Sequence, residues 1–299
     1  MEVVYGPDNR KDVYETTNAF HVELAKSTAG MIYLGDLAKS HMIKHYNIIN
    51  TKTHGEVENL CSQERFIKQP TSPICSGFLI AEDVLVTAGH CYKTFATPEI
   101  ACKNFAWVFD YKMDKWNDDP TKNVPLSNIY LCKKILRSEL TMSKDPNDTL
   151  DYSIIQLDRK VVNRKPLPYR LMGKVNDQTS LVVIGHPSGL PTKISDGARI
   201  TGNKLKTTFS SNLDTFHGNS GSAVFDARTG VVEGILIQGR TDYVNSDPKN
   251  KNSCKVINKC DNSLQNCSEK NLEPTLDAGE VVLRMNAISV EITKALRTK

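Results

Sequence analysis

The sequence predicts an all-β protein, and two observations support this fold class. From about residue 73, short apolar runs recur at 77–80, 84–86, 152–155, 181–184, 223–225 and 234–237. Stretches rich in Gly, Pro, Asn and Asp separate these runs. Short strands with turn residues between them indicate a sandwich or a barrel rather than βαβ units.

The two ends of the chain differ from this β-rich region. Residues 1–70 are polar and irregular, and residues 241–280 form a polar stretch with three cysteines, which we expect to be a stapled surface loop. Near the C-terminus, apolar residues at 285, 288, 292, 295 and 296 have helical spacing. This spacing predicts one terminal amphipathic helix over residues 285–297.

Composition excludes several classes of protein. Hydrophobic residues make up 39% and charged residues 24% of the 299 positions, which is ordinary globular usage and argues against disorder or a coiled coil. The net charge of +4 is scattered, so we expect no nucleic-acid partner. The longest apolar runs are far shorter than the roughly 20 residues of a membrane span, so none is predicted.

Eight cysteines are spread along the chain, at 61, 75, 91, 102, 132, 254, 260 and 267. No close CxxC pair of the metal-binding kind occurs, and an even, dispersed set fits disulfides in an oxidising compartment. A cytosolic enzyme with buried thiols stays open as the alternative. The opening Met-Glu-Val-Val has no signal-peptide pattern. We therefore expect an already trimmed form of a secreted or periplasmic protein.

Three segments carry residues with catalytic chemistry. His90 follows an apolar run and two small residues, Asp151 heads another apolar run, and Ser220 lies between two glycines. Each segment alone is more often structural, as a core or surface histidine, a turn aspartate or a Gly/Ser hairpin. Together they supply a nucleophile, its base and the acid that orients the base.

These segments, TAGHC, DYSII and GNSGS in this order, resemble those of the trypsin-like serine endopeptidases with the chymotrypsin fold. The GNSGS form and residues 3–18 are similar to the bacterial glutamyl endopeptidase branch. The resemblance implies two orthogonal six-stranded antiparallel β-barrels, with the active site in the cleft between them. We expect residues 1–70 to wrap the barrels, 71–165 to form the first barrel, and 166–299 to form the second barrel plus the helix.

The same resemblance implies a role for each member of the site. Ser220 is the expected nucleophile, His90 the general base and Asp151 the orienting carboxylate. The backbone N–H groups of Gly218 and Ser220 are expected to form the oxyanion hole. Asn219 replaces the acid that receives the freed N-terminus in the animal enzymes, so that activation switch is absent.

Further expectations concern substrate binding and disulfides. Ile237 and Gly239 lie on the segment that resembles the substrate-pairing strand of the family. Cys75 and Cys91 match the disulfide beside the catalytic histidine, and a pair between Cys102 and Cys132 is plausible; the connectivity of the other four stays open. No metal and no organic cofactor is expected.

Substrate specificity has competing interpretations. Asp214 lies six residues before Ser220, where enzymes that cleave after Arg or Lys hold a pocket aspartate, so we favour that specificity. Thr215 is compatible with either specificity, and His217 at the pocket rim could favour Glu. Leu236 stands where the Glu-specific branch has a histidine. Asp214 could instead cap a turn by accepting backbone N–H groups.

The leading hypothesis is thus a monomeric serine endopeptidase that acts on a protein or peptide substrate. Glutamyl-type specificity and a catalytically silent double-barrel binding protein are the alternatives. A chaperone-protease of the Deg type is disfavoured, because the residues after Arg240 are expected to hold the last strands and the helix rather than a peptide-binding domain.

Overall fold

The computed structural model of the protein describes residues 4–95, 97–141, 145–261 and 279–299. Most of its regular structure is β-strand. The strands are β1 (Val4–Tyr5), β2 (Arg10–Asp12), β3 (Thr28–Tyr33), β4 (Leu37–Lys39), β5 (His45–Ile48), β6 (Lys52–Thr53), β7 (Pro70–Thr71), β8 (Cys75–Ala81), β9 (Val84–Thr87), β10 (Phe105–Phe109), β11 (Val124–Pro125), β12 (Ile129–Thr141), β13 (Leu150–Leu157), β14 (Ser180–Gly185), β15 (Lys193–Gly202), β16 (Thr208–Ser211), β17 (Ala223–Asp226), β18 (Val232–Gln238), β19 (Tyr243–Asn245), β20 (Lys255–Ile257), β21 (Lys259–Cys260) and β22 (Glu280–Arg284).

The helices are short and lie outside the sheets. They are α1 (Ala19–Ala25), α2 (His54–Glu58), α3 (His90–Lys93), α4 (Pro98–Asn104) and α5 (Ser289–Thr298). Among the residues that the structure describes, we find no helix with the length and apolar character of a membrane span.

The first barrel is closed by six antiparallel strands in the order β10, β12, β13, β9, β8 and β3. Strand β3 lies within the segment that we expected to wrap the barrels, so the first barrel begins well before residue 71. The first five residues of β3 are buried, and it pairs with β10 on one side and β8 on the other. Its small residues Ala29 and Gly30 weaken the apolar pattern by which a strand is recognised.

The second barrel contains β14, β17, β18, β22, β16 and β15 in that order, and the pairing of β15 with β14 closes it. Strand β2 of the N-terminal segment adds to the outside of β15. The prediction of an all-β protein with two six-stranded antiparallel barrels is therefore confirmed.

One apolar core extends across the junction of the two barrels. Phe78, Trp107 and Ile154 of the first barrel belong to the same buried cluster as Phe225 and Ile235 of the second. Burying a side chain of this size contributes about 1.5–3 kcal/mol. The shared core therefore fixes the two barrels against each other and sets the positions of the loops between them.

The C-terminal helix is confirmed, with its start shifted to Ser289. It packs on the first barrel through buried Ile292 and Ala295. Two polar contacts join it to β12: Lys134 Nζ donates to the carbonyl of Thr298 at 3.3 Å, and Arg137 Nε lies 3.4 Å from Glu291 Oε2. Residue 285 belongs to a short 3₁₀ turn, Met285–Ala287, that precedes the helix.

Segments outside the barrels are tied to each other over long sequence distances. Strand β1 pairs in parallel with β21, and a disulfide joins Cys61 to Cys254. Two further disulfides, Cys75–Cys91 and Cys102–Cys132, lie in the first half of the chain. No described cysteine is free, and Cys267 lies outside the described residues.

Candidate active site

His90 and Asp151 meet at one end of the first barrel. Strands β9 and β13 are neighbours, and Thr87 pairs with Ser153, so the residues just after β9 lie beside the start of β13. Gly89 makes this approach possible, because a Cβ there would lie 2.0 Å from the carbonyl oxygen of Glu139 and 2.8 Å from Tyr152 N. The small residue before the histidine is thus a steric requirement.

The Asp151 carboxylate holds His90 at two points. Oδ2 lies 2.7 Å from His90 Nδ1, and Oδ1 accepts the His90 backbone N–H at 2.8 Å. Asp151 is buried, whereas the His90 side chain is 28% exposed. With Nδ1 donating to the carboxylate, Nε2 is left as the acceptor that a general base needs.

The turn that carries Ser220 docks onto β8 next to His90. The Ser76 backbone N–H donates to the Ser220 carbonyl at 2.9 Å, and Ser76 Oγ donates to the Gly218 carbonyl at 2.8 Å. Cys91 Sγ, within the Cys75–Cys91 disulfide, lies 3.8 Å from the Ser220 carbonyl oxygen. Sequence reasoning missed Ser76, since a serine inside a strand carries no catalytic signal.

Glycines shape the turn around Ser220. Gly218 and Gly221 have φ of +86° and +87°, and a Cβ on Gly221 would lie 2.2 Å from the Ser76 carbonyl oxygen. Within the described residues, the backbone N–H groups of Gly218 and Ser220 have no acceptor. Two donors therefore stay available near the serine hydroxyl.

Ser220 Oγ forms no hydrogen bond with His90 in the part of the chain that the structure describes. Such catalytic hydrogen bonds are often long in the absence of substrate and tighten in the Michaelis complex. The structure thus brings the three expected residues to one site, with His90 and Asp151 hydrogen-bonded to each other and the turn of Ser220 beside them.

Asp214 has a role different from the one that we favoured. Its Oδ1 accepts the Tyr5 N–H and its Oδ2 accepts the Asn9 N–H, both at 2.8 Å. The side chain is only 4% exposed, and burial raises its pKa to about 7. Both carboxylate oxygens therefore bind the N-terminal segment and are not free to bind a substrate cation. Because these partners are more than 200 residues away, the sequence around Asp214 does not reveal them.

Thr215 and His217 lie between Asp214 and Ser220 in the sequence, and both bind acidic side chains. Thr215 Oγ1 donates to Glu280 Oε2 at 2.8 Å, and both residues are buried. His217 Nδ1 lies 2.7 Å from Asp242 Oδ2, and its Nε2 lies 3.2 Å from Glu58 Oε1. Although burial disfavours the charged ring, the hydrogen bonds to Asp242 and Glu58 raise the pKa of His217 to about 9. His217 is therefore an imidazolium at neutral pH.

The end of β18 lies beside the serine turn. Leu236 N–H donates to the Ser222 carbonyl at 3.0 Å, and the Leu236 carbonyl accepts the Gly221 N–H at 2.8 Å. Ile237 follows at a register shift between β18 and β22, and Gly239 lies just past the strand end. The Leu236 side chain packs into the second core.

One group of metal-ligating types occurs among the described residues. Ligand atoms of Cys75, His90 and Cys91 lie within 4.8 Å of one another. The two sulfurs are bonded to each other, so they offer no thiolates, the form in which cysteine binds metals.

Comparisons with known proteins agree with this geometry. The family model of the trypsin-like peptidase domain matches residues 75–235, more than half of the chain. A search of curated proteins by sequence finds no match.

Solved structures with a similar fold include several proteases. A Glu endopeptidase superposes with a TM-score of 0.53 at 16% identity, over 99% of this chain and 100% of that one. The scabies mite inactivated protease paralogue S-D1 gives 0.52 at 12% identity, over 99% and 97%. The Vibrio cholerae VesB protease gives 0.51 at 11% identity, over 98% and 67%. The chain therefore belongs to the family of trypsin-like peptidases, the serine endopeptidases with this double-barrel fold.

Proposed function

We propose that the protein hydrolyses peptide bonds through an acyl-enzyme formed on Ser220. The observation that carries this proposal is the two-point hold of Asp151 on His90, directly beside the turn of Ser220. A carboxylate that fixes both the ring tautomer and the backbone of a histidine is an arrangement suited to general-base catalysis.

The reaction proceeds in two balanced steps. His90 Nε2 takes the proton of Ser220 Oγ as the oxygen attacks the substrate carbonyl carbon. When the C–N bond breaks, His90 gives that proton to the leaving amine and the acyl group stays on Ser220. Water then attacks the ester carbonyl carbon while His90 takes its proton; the bond to Ser220 Oγ breaks, His90 returns the proton to that oxygen, and the carboxylic acid product leaves.

Two backbone donors stabilise the negative oxygen of each tetrahedral intermediate. The N–H groups of Gly218 and Ser220, which have no acceptor among the described residues, are the donors. Preorganised N–H groups in this role are worth about 10²–10³ in rate each. The substrate backbone pairs with the end of β18 at Ile237 and Gly239.

For the residue before the scissile bond we propose Arg or Lys, on a basis other than Asp214. Around His217, Glu58 and Asp242 supply two carboxylates that a cationic side chain of the substrate can contact. Because this cluster is partly exposed, the preference is modest, about fivefold, from up to ~1 kcal/mol for such a pair.

Preference for Glu is the second candidate, and the cationic ring of His217 at this position favours it. A panel of peptides that differ only in Arg, Lys, Glu, Phe or Ala before the scissile bond separates the two. Higher kcat/KM for Arg and Lys supports our proposal, and higher kcat/KM for Glu assigns the ring of His217 as the specificity group.

Labelling with an organophosphate tests the nucleophile. We expect stoichiometric modification of Ser220, located by peptide mass spectrometry, and its loss in Ser220→Ala. Ser222→Ala is the matched control, because it removes a buried hydroxyl two residues away that donates to Asn219 Oδ1. Absence of labelling in the wild-type protein would instead support the silent binding protein.

We also propose a secreted or periplasmic location and a monomer. The three disulfides among the described residues support export, since they persist in oxidising compartments. Alkylation without reductant, followed by intact mass measurement, tests this. Eight alkylated cysteines in protein taken from its source would overturn it, and light scattering checks the monomer.

A further inference from the structure

The peptide unit between His217 and Gly218 is held from its carbonyl side. The Ser188 backbone N–H donates to the His217 carbonyl at 2.5 Å. Because a trans peptide is planar, its C=O and N–H point in opposite directions. Fixing the His217 carbonyl therefore fixes the direction of the Gly218 N–H, the proposed oxyanion donor.

Ser188 reaches this position in an unusual backbone conformation. It lies in the turn Pro187–Gly189 with φ of 52° and ψ of 26°. This left-handed region is unfavourable for a residue that has a Cβ, so surrounding contacts have to maintain it. Gly218 packs closely against this turn: a Cβ on Gly218 would lie 2.6 Å from the His186 carbonyl oxygen.

A chain of buried polar side chains maintains Ser188. Its Oγ lies 2.6 Å from the Tyr243 hydroxyl, and that hydroxyl lies 2.7 Å from His54 Nε2. The exposed fractions of Ser188, Tyr243 and His54 are 3%, 9% and 0%. Burial lowers the pKa of His54 to about 3, so the ring stays neutral at neutral pH and the chain keeps one protonation state.

The members of this chain come from three separate parts of the sequence. His54 begins α2 in the N-terminal segment, Ser188 follows β14 of the second barrel, and Tyr243 begins β19 beyond β18. Neither α2 nor β19 belongs to a barrel. Their polar side chains converge on the Ser188 turn, which binds the His217 carbonyl in the loop that carries Gly218.

We propose that the Tyr243 hydroxyl and Ser188 are positioning residues for the oxyanion hole: they hold the Ser188 turn so that its N–H fixes the His217–Gly218 peptide. This inference rests on the proposed function, in which the Gly218 N–H stabilises the tetrahedral intermediate. Tyr243 and Ser188 act through the peptide unit and do not touch the substrate.

Tyr243→Phe is the first test, because it removes only the hydroxyl oxygen. The ring, whose centroid lies 5.2 Å from that of Phe216, is kept. We expect kcat to fall about 10- to 100-fold, short of the 10²–10³-fold loss of a whole oxyanion donor, with KM within about twofold. Affinity for a peptide boronic acid, which forms a tetrahedral adduct on Ser220, falls by a similar factor. Peptide binding to Ser220→Ala is not changed by adding Tyr243→Phe.

Tyr111→Phe is the matched control. Tyr111 is also buried; its ring contacts His186 and is kept in the variant, while its hydroxyl donates to the Pro70 carbonyl at 3.0 Å and not to Ser188. We expect its kcat and boronate affinity to stay at wild-type values. An equal loss of kcat in both variants would mean general loosening and would overturn the inference.

Variants of Ser188 separate positioning from mere packing. Ser188→Ala keeps the unfavourable backbone and loses the hydroxyl, whereas glycine adopts the left-handed region without strain. We expect Ser188→Ala to lose kcat as Tyr243→Phe does, and Ser188→Gly to retain most of it. In the Ser188→Gly background, Tyr243→Phe then has little further effect, which a double-mutant cycle measures.

The outcomes separate the two proposals. If the wild-type protein is labelled on Ser220 and cleaves peptides, but Tyr243→Phe and Ser188→Ala keep full kcat and boronate affinity, the inference is wrong and the proposed function stands. If the wild-type protein is neither labelled nor active, both are wrong. Loss of folding in one variant leaves the other to decide.

Discussion

The two halves of the candidate site are held by different parts of the molecule. The histidine half, His90 and Asp151, is positioned by neighbouring strands of one barrel. The serine half, the turn at 214–221, is contacted by residues outside both barrels: Tyr5 and Asn9 bind Asp214. The Arg10 guanidinium also lies 4.0 Å from the Phe216 ring centroid.

This difference predicts different sensitivities. A closed sheet positions the histidine half through many backbone hydrogen bonds, so few single changes displace it. The serine half is anchored on β8 and β18, but it depends in addition on side chains and short strands that come from the N-terminal segment and from residues 241–260. Changes there are expected to alter the oxyanion hole while leaving the acid–base pair intact.

The largest effect is expected within the histidine half. Asp151→Asn keeps an oxygen for the His90 backbone N–H but presents an NH₂ group to Nδ1, which favours the wrong tautomer. We expect kcat to fall about 10⁴-fold, with the urea midpoint near the wild-type value. Asp148→Asn, in the exposed turn Pro146–Asp148, is the control. Normal activity in Asp151→Asn would assign the acid elsewhere.

Removing disulfides compares the two halves directly. Cys61→Ser/Cys254→Ser opens the link between the N-terminal segment and the residue that precedes β20, and Cys102→Ser/Cys132→Ser opens a link in the first barrel. We expect each pair to lower the free energy of unfolding by about 2–5 kcal/mol in urea titrations. Only the first pair is expected to lower kcat of the folded protein. Equal kcat in both variants would contradict the dependence of the serine half on outside segments.

Asp214→Ser tests the hold on the N-terminal segment. The N–H groups of Tyr5 and Asn9 lose their acceptor, so we expect stability to fall by about 1–3 kcal/mol per unpaired group. The ratio of kcat/KM for Arg and Glu peptides stays within about twofold. If the kcat/KM ratio for Arg over Glu peptides fell strongly while the free energy of unfolding did not change, Asp214 would be the specificity residue after all.

The smallest effect is expected from the pH titration of His217. Its pKa of about 9 lies above the unfolded value near 6.5. The stabilisation from Glu58 and Asp242 is thus complete below about pH 6.5 and is lost as pH rises through about 9. We expect a several-fold fall of kcat over this upper range, and a fall at lower pH in Glu58→Gln. His41→Gln, at an exposed histidine, is the control. Identical pH profiles of kcat in the wild type, Glu58→Gln and His41→Gln would contradict this prediction.

The histidine half could be predicted from sequence because its information is local. His90 follows an apolar run and two small residues, and Asp151 heads another apolar run. In the serine half, Ser220 alone has such a local signal, because it lies between glycines that its turn requires. Strand β3 escaped prediction because Ala29 and Gly30 interrupt its apolar pattern; the packed junction requires Gly30, where a Cβ would lie 2.6 Å from Pro73 Cγ.

The serine half could not be predicted to the same depth. The partners of His217 are Glu58 and Asp242, which stand in polar stretches where an acid is ordinary. The role of Asp214 changed for the same reason: its position relative to Ser220 indicated a pocket aspartate, but backbone groups of Tyr5 and Asn9 occupy it. The sequence of a loop shows which residues it contains. The contacts of Asp214 and His217 depend instead on which distant segment packs on the loop.

The pairing of β1 with β21 also affects the order in which the two halves of the candidate site can assemble. Val4 pairs with Lys259, so the N-terminal segment cannot complete its contacts until most of the chain has been synthesised. Native contacts between residues this far apart form late, because a long loop has to close first. A growing chain can fold its histidine half while the serine half is still unassembled. The serine half is therefore expected to be the last part of the candidate site to assemble.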